Sequence, residues 1–161
     1  MYNEVLETIL KDTYTVNKLK LRLRILKSYF LKALFGGEAE KEALDQSELN
    51  WLNSVPPFFY QKFNKDNVYA LFKQAEDKIN QLLPVVVYLP FEANDQSIAQ
   101  IGQFARITFN NTSLLLDIKH DPGLIAGCAL VWNGVYRDYS LRAKIEERKA
   151  AILQSFKKFL R

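Results

Sequence analysis

The sequence predicts an α+β fold made of two parts. Residues 1–83 are expected to form an N-terminal helical bundle, and residues 84–161 a small C-terminal domain with a mixed β-sheet, a β-hairpin and a long terminal helix. Before Pro84, apolar residues recur three and four positions apart, as they do on helices; after it, short β-branched runs alternate with helical patterns. Pro84 marks the boundary because a helix seldom continues through proline. With 161 residues, 48% of them hydrophobic, the chain can bury a sizeable core.

The N-terminal part reads as three or four helices. The apolar residues at positions 5, 6, 9 and 10 predict a short first helix, and a stripe from Leu19 to Leu34 predicts a longer one that stops at Gly36. Residues 18–26 also alternate between basic and apolar, so an amphipathic strand remains an alternative there. The clearest helix is expected over residues 66–83. Between these helices, the aromatic residues 58–60 and Phe63, which follow Pro56-Pro57, indicate either a cap on the bundle, which is favoured, or a binding surface.

The C-terminal part reads as strand, helix, strand, hairpin and helix. Strands are expected at residues 85–90 and 113–120, with a helix over residues 94–109 between them. Residues 125–132 form an apolar, β-branched run, Asn133-Gly134 suits a type I′ turn, and residues 135–139 supply the returning strand. Asp138 and Ser140 then stand where side-chain oxygens cap the start of a helix. The order predicts a mixed sheet covered on one face by helices.

Residues 121–142 resemble the C-terminal signature of the delta subunit family of F-type ATP synthases, which is called OSCP in mitochondria. The order and spacing match an acidic residue, Leu-Ile, a small residue and Gly, a hairpin, then Asp-x-Ser, an aliphatic and a basic residue. Ala126 departs from the family, which usually has glycine there. The resemblance covers about the last half of the chain; the family's N-terminal bundle normally has about six helices. The resemblance implies mainly structural roles for the residues that match the signature, which are Asp121, Leu124, Ile125, Gly127, Gly134, Asp138, Ser140 and Arg142.

The resemblance implies a noncatalytic peripheral-stalk, or stator, subunit that holds the alpha/beta catalytic head against rotor torque in a proton-transporting complex. In that role the N-terminal helices dock on the N-terminal segments of the alpha subunits, and the C-terminal domain binds the helices of the b subunits. The location would be the cytoplasmic face of a bacterial membrane, without insertion into it. No cofactor is implied.

The terminal helix is the candidate surface for a partner. Its apolar stripe is wider than a small sheet needs, which favours helix–helix contact with another protein, although core packing within the chain explains the stripe equally well. The candidate partner-binding residues are Ile145, Ile152, Phe156, Phe159 and Leu160.

The residues give little sign of catalysis. His120 lies between Asp117 and Asp121, but a zinc site needs three or four ligands and the chain has one His and one Cys, so a metal is not expected. A triad of Ser140, His120 and Asp138 is not expected either, because Ser140 lacks the strained turn that exposes a nucleophile and helix capping explains it. Nucleotide-binding glycine loops are absent from the sequence, so an enzyme is not expected. Cys128 is expected at a buried strand position. The longest apolar run, residues 124–132, is far shorter than the roughly 20 residues of a membrane span, and an export signal is not evident.

The positive charge of the chain supports one alternative hypothesis for its function. The net charge is +4, and a basic run could neutralise phosphates in a small basic nucleic-acid-binding protein. On a helix these charges spread around the circumference, so a solvated face is favoured and nucleic acid is not the expected partner. The run comprises Lys18, Lys20, Arg22, Arg24, Lys27 and Lys32.

Overall fold

The computed structural model describes residues 2–36 and 45–159, and it has the predicted α+β fold. Five helical segments precede Pro84 in the described residues, against the three or four expected. The additional segment is one turn, which Pro57 starts at a position where the amide of a helix has no acceptor. The segments are α1 (Tyr2–Leu10), α2 (Val16–Phe35), α3 (Gln46–Ser54), α4 (Pro57–Tyr60) and α5 (Val68–Gln81).

The C-terminal part contains a four-stranded sheet in the order β2-β1-β3-β4. The β1–β2 pair is parallel and the β1–β3 and β3–β4 pairs are antiparallel, so the prediction of a mixed sheet is confirmed. A 3-10 turn, Pro122–Leu124, precedes β3. The elements are β1 (Val85–Leu89), α6 (Asp95–Thr108), β2 (Leu116–His120), β3 (Ala129–Trp132), β4 (Val135–Asp138) and α7 (Leu141–Phe159).

The alternating segment of residues 18–26 is helical, as favoured. The Lys18 amide donates to Thr15 Oγ1 at 3.3 Å, which caps α2, and Gly36 ends the helix in the left-handed conformation with φ of 67°. Its buried apolar residues recur at helical spacing, and tertiary packing therefore decides between the two patterns. They include Leu19, Leu23, Leu26 and Phe30.

The aromatic residues near Pro57 belong mostly to the N-terminal core. Phe59 and Phe63 are buried with Phe30 and Phe72; the ring centroids of Phe30 and Phe63 are 3.9 Å apart and those of Phe63 and Phe72 are 5.4 Å apart. The packing interpretation is therefore confirmed for this cluster. Phe58 is the exception, with 56% of its surface exposed.

The hairpin forms, but its first strand starts later than predicted. Asn133 and Gly134 have φ of 49° and 76°, as a type I′ turn requires. The strand prediction is wrong for residues 125–128, because Ile125 and Gly127 have φ of 68° and 83° and cannot lie in an extended strand. Cys128 consequently precedes β3 and is half-buried, so the buried strand position predicted for it is also wrong.

The two parts touch along the edge of the sheet. The Leu116 amide donates to the Tyr14 carbonyl oxygen at 2.8 Å, and the Arg106 guanidinium donates to the Thr13 carbonyl oxygen at 2.6 Å. Gly102 allows the Tyr14 ring to lie on α6, since a Cβ on Gly102 would stand 2.6 Å from Tyr14 Cβ. The segment between α1 and α2 thus binds both β2 and α6.

Candidate partner-binding site

The first signature residues shape the turn that supports α7. The Asp121 carboxylate accepts from the Gly123 amide at 2.9 Å, and Leu124 is completely buried. The Leu141 amide, at the start of α7, donates to the Ala126 carbonyl oxygen at 2.8 Å. These contacts fix the beginning of the helix to the loop that follows β2.

A second set of contacts caps α7. Asp138 accepts from the Ser140 amide at 2.9 Å, and Ser140 Oγ accepts from the Ala143 amide at 3.2 Å, as the sequence predicted for a helix cap. The Arg142 guanidinium donates to Asp138 at 3.3 Å, which confirms the expected pair. Hydrogen bonds from Ser140, and then from Arg142 and Tyr136, lower the pKa of Asp138 to about 2. Asp138 is therefore ionised at neutral pH and complements the positive end of the helix dipole.

Beyond this anchored first turn, α7 lies in solvent. Its 19 residues span about 28 Å at the usual helical rise of about 1.5 Å per residue. Every side chain from Leu141 to Lys158 is exposed except Ala143, and the helix contacts the rest of the described chain mainly at the Pro122–Leu124 turn. The alternative that α7 packs entirely within the chain is therefore wrong for these residues.

The candidate partner-binding residues lie on this open helix. Ile145, Ile152 and Phe156 are 40%, 39% and 63% exposed, and the spacing of four and seven places them on one face. The side chain of Phe159 and the whole of Leu160 lie outside the described residues. Exposure of several large apolar side chains on one helix is typical of an interaction surface.

The polar face of α7 is strongly basic. The helix contains six Lys and Arg residues and two Glu residues, a net charge of +4, equal to that of the whole chain. Positive charge at the C-terminal end suits the helix dipole, and Lys157 and Lys158 stand there. A partner of α7 would therefore gain from an apolar stripe with acidic flanks.

A second open apolar surface lies on the sheet, and the sequence did not reveal it. We call it the α6–β4 groove; its volume is about 630 Å³. One wall is α6, the floor is β1 and β3, and the other wall is β4. Phe104 on α6 is apolar but 71% exposed, and its position outside the buried stripe of the helix is the sequence signal that could have indicated an additional surface. Residues lining the groove include Val87, Phe104, Leu130, Trp132, Arg137 and Tyr139.

The residues considered for catalysis are occupied by structural contacts. His120 Nε2 lies 3.2 Å from the Pro90 carbonyl oxygen at an exposed strand end, while Ser140 is buried and its hydroxyl accepts from the Ala143 amide. Burial raises the pKa of the Cys128 thiol and so disfavours the reactive thiolate. Within the described residues, His, Cys, Asp and Glu form no group of three that could hold a metal ion.

Several cations of the basic run are paired with carboxylates instead of being freely solvated. Arg22 is buried and donates to Glu48 at 3.2 Å, Lys18 donates to Asp95 at 2.7 Å, and Lys27 donates to Glu76 at 2.8 Å. The interpretation as a solvated face is wrong for Arg22, because the buried Glu48 carboxylate compensates its charge. The pattern of α2 alone could not show this, since Glu48 is 26 residues away in the sequence.

The fold and these two surfaces define the class of protein: an α+β protein with an anchored, projecting amphipathic helix and an open apolar groove. In the part of the chain that the structure describes, none of the helices is both long and apolar enough to cross a membrane. Comparison with models of known protein families gives no match, and a search of curated proteins gives none either.

Proposed function

We propose that this chain is a delta-like stator subunit of an F-type ATP synthase. The observation that carries the proposal is the geometry of residues 121–142: the segment that resembles the delta signature folds into a turn, a hairpin and a helix cap whose product is the projecting helix α7. A subunit that links a catalytic head to stalk helices needs such a helix, held firmly at one end and open along its length.

The anchoring of α7 suits a mechanical role. A stator must transmit torque without bending at the connection, and backbone hydrogen bonds to Ala126, the Ser140 cap and the Asp138–Arg142 pair all restrain the first turn. Exposed ion pairs contribute at most about 1 kcal/mol each, so the apolar residues of α7 would supply most of the affinity for the b helices.

The N-terminal helices would dock on the N-terminal segments of the alpha subunits. The link between the two parts supports this division of labour, because the Lys18–Asp95 pair and the Arg106 hydrogen bonds hold the helical part against the C-terminal sheet. A load applied to one part would then pass to the other through several contacts. The protein would act without catalysis, on the cytoplasmic face of a bacterial membrane.

The nucleic-acid alternative draws less support. Within the described residues, at least three of the six cations in the basic run form ion pairs with carboxylates of the same chain, which reduces the charge available to phosphates. The cations of α7 lie beside exposed Ile and Phe side chains, a combination that suits a protein helix better than a phosphate backbone.

Purification of the tagged chain from gently solubilised host membranes, with nuclease present and salt raised in parallel samples, tests the proposal. We expect alpha, beta and b subunits to co-purify with the wild-type chain. The variant Phe156→Glu, which places a charge on the α7 face, should reduce recovery of b by at least about tenfold. Phe58→Glu is the matched control because Phe58 has similar exposure in the N-terminal part.

Two outcomes would contradict the proposal. Recovery of nucleic acid alone, lost when nuclease or salt is added, would favour the nucleic-acid alternative. Recovery of none of the ATP synthase subunits with the wild-type chain would exclude the stator role. If b is recovered equally with wild type and Phe156→Glu, the stator role stands but the b helices do not bind through the α7 face.

A further inference from the structure

The α6–β4 groove has the position of a missing helix. The cross-strand neighbours Val87, Leu130 and Arg137 lie side by side on one face of the sheet. Ile101 and Ala105 of α6 belong to one apolar cluster with residues of β1, β2 and β3. Each of the four strands takes up about 4.8 Å of the width of the sheet, so the sheet is roughly 19 Å wide, and a helix about 10 Å wide covers about half of it. Beside α6, the face stays open over parts of β1 and β3 and along β4.

The lining of the groove is predominantly apolar. Aromatic and aliphatic side chains form nearly all of it, and Phe104, Val135 and Tyr139 are 71%, 54% and 52% exposed. Arg137 is the only charged residue of the lining, and it forms no ion pair within the described residues. A surface of large aromatic residues with one free guanidinium resembles the centre of a protein–protein interface.

The free helix of this chain is a poor occupant for the groove. As the structure stands, α7 contacts the Pro122–Leu124 turn and leaves the groove open. A second copy could offer its own α7, but that helix has a net charge of +4 and would meet Arg137 and the basic α7 of the receiving copy. Like charges at an interface cost affinity and disfavour that pairing.

We propose that the α6–β4 groove binds an amphipathic helix of another protein whose apolar stripe is flanked by acidic residues. The stripe would pack on Phe104, Leu130 and Trp132, and an acidic side chain would pair with Arg137. Because Tyr139 of the groove wall lies two residues before α7, an acidic flank would also face the cations of α7. This inference goes beyond the stator proposal, since it rests on the groove itself.

Two synthetic 18-residue peptides with the same leucine stripe, one with Glu flanks and one with Lys flanks, test the inference with the full chain. Fluorescence anisotropy of the labelled peptides should show the Glu peptide binding at least about tenfold more tightly. Trp132 lines the groove and Trp51 is buried in the N-terminal core, so a change in tryptophan emission would report binding at Trp132.

Four variants locate the binding. Phe104→Glu should weaken binding of the Glu peptide at least about tenfold, whereas Ile107→Glu, on the same helix, 80% exposed and outside the lining, should change it less than twofold. Arg137→Glu should reverse the preference between the two peptides. Phe156→Glu tests the α7 face, which could also attract an acidic amphipathic peptide: weaker binding in Phe156→Glu but not in Phe104→Glu would place the peptide on α7 and would overturn the inference.

Equal affinity for both peptides, or no effect of Phe104→Glu, would overturn the inference. A wild-type chain that forms dimers which Phe104→Glu disrupts would instead assign the groove to a second copy, and would also overturn it. These outcomes are independent of the stator test, because co-purification of b with the wild-type chain does not require an occupied groove.

Discussion

Gly127 lies directly against the backbone of Tyr139. A Cβ built on Gly127 would stand 2.5 Å from the Tyr139 carbonyl oxygen and 3.1 Å from Ser140 Cα, and Gly127 has φ of 83°. Both features require glycine, and the close approach seats the loop before β3 against the start of α7. Ala126 is not among the described residues with positive φ, which explains why alanine is accommodated where the delta family usually has glycine.

Replacing Gly127 with alanine should destabilise the protein by about 2–4 kcal/mol, because the new Cβ combines positive φ with a steric clash. Urea denaturation measures the change in the free energy of unfolding. Gly134→Ala is the control: Gly134 also has positive φ, 76°, but a Cβ there meets nothing within 4 Å. Its cost should be about 1 kcal/mol. Equal losses for the two variants would show that the contact with Tyr139 is unimportant.

Ile125 occupies a strained turn that glycine would relieve. Its φ is 68° and ψ is −56°, and the Ala126 amide donates to the Leu124 carbonyl oxygen at 2.8 Å, which closes a γ-turn around a β-branched residue. Since the side chain is 60% exposed, it contributes little burial.

Ile125→Gly should therefore raise the free energy of unfolding by about 1 kcal/mol. Glycine relieves the backbone strain, and this gain is partly offset because glycine adds conformational entropy to the unfolded chain. Ile125→Ala, which keeps the strain, should not stabilise the protein. Urea denaturation of both variants makes the comparison. If Ile125→Gly lowers stability, the side chain has a packing role that its exposure does not indicate.

Asp138 should make the stability of the protein depend on pH in the acid range. Its pKa is about 2 in the folded protein, below the ordinary value of 3.8, so the unfolded chain binds the proton more readily. The stabilisation is then fully present above about pH 4 and is lost as the pH falls through the folded pKa. Between these values, the melting temperature of Asp138→Asn should fall less steeply with decreasing pH than that of the wild type.

Arg142→Gln separates the causes of this shift. Hydrogen bonds from Ser140 lower the pKa of Asp138 most, and the bond from Arg142 contributes less. The pH dependence of the melting temperature should therefore survive largely intact in Arg142→Gln. If that variant matches Asp138→Asn instead, the ion pair with Arg142 is the main cause.

Local rules were enough to predict many elements of this fold. The cap at Ser140, the turn at Asn133 and Gly134 and the stripe of α5 depend on residues close in sequence, and all three appear as expected. The start of β3 was missed because the apolar pattern of residues 125–132 does not reveal the positive φ of Ile125. That conformation belongs to a turn closed by the hydrogen bond from the Ala126 amide to the Leu124 carbonyl oxygen, which an apolar pattern does not encode.

The surfaces of the candidate site were harder to predict. An apolar stripe has the same sequence pattern whether it packs in the core or faces solvent. The sequence of α7 therefore could not show that Ile152 and Phe156 are exposed. The groove depends on how far α6 extends across the sheet, which follows from tertiary packing. The burial of Arg22 could not be predicted from the sequence for the same reason, because its partner Glu48 belongs to another helix.

The Arg22–Glu48 pair gives the largest electrostatic effect we expect in the N-terminal part. The two side chains are only 7% and 4% exposed, and Arg22 also donates to the Asp12 carbonyl oxygen and to Thr13 Oγ1 at 2.8 Å each. Its guanidinium lies 4.4 Å from the centre of the Trp51 ring. Burial lowers the pKa of Arg22, and Glu48 opposes that effect.

Removal of Glu48 would leave this cation buried without its carboxylate. Glu48→Ala should cost roughly 3–5 kcal/mol in the free energy of unfolding, measured by urea denaturation at neutral pH. The matched control is Glu76→Ala, since the Lys27–Glu76 pair has a shorter distance, 2.8 Å, but its side chains are 37% and 43% exposed. Water and salt screen that pair, and the control should lose at most about 1 kcal/mol. Similar losses in both variants would mean that distance, not burial, determines the contribution of these pairs.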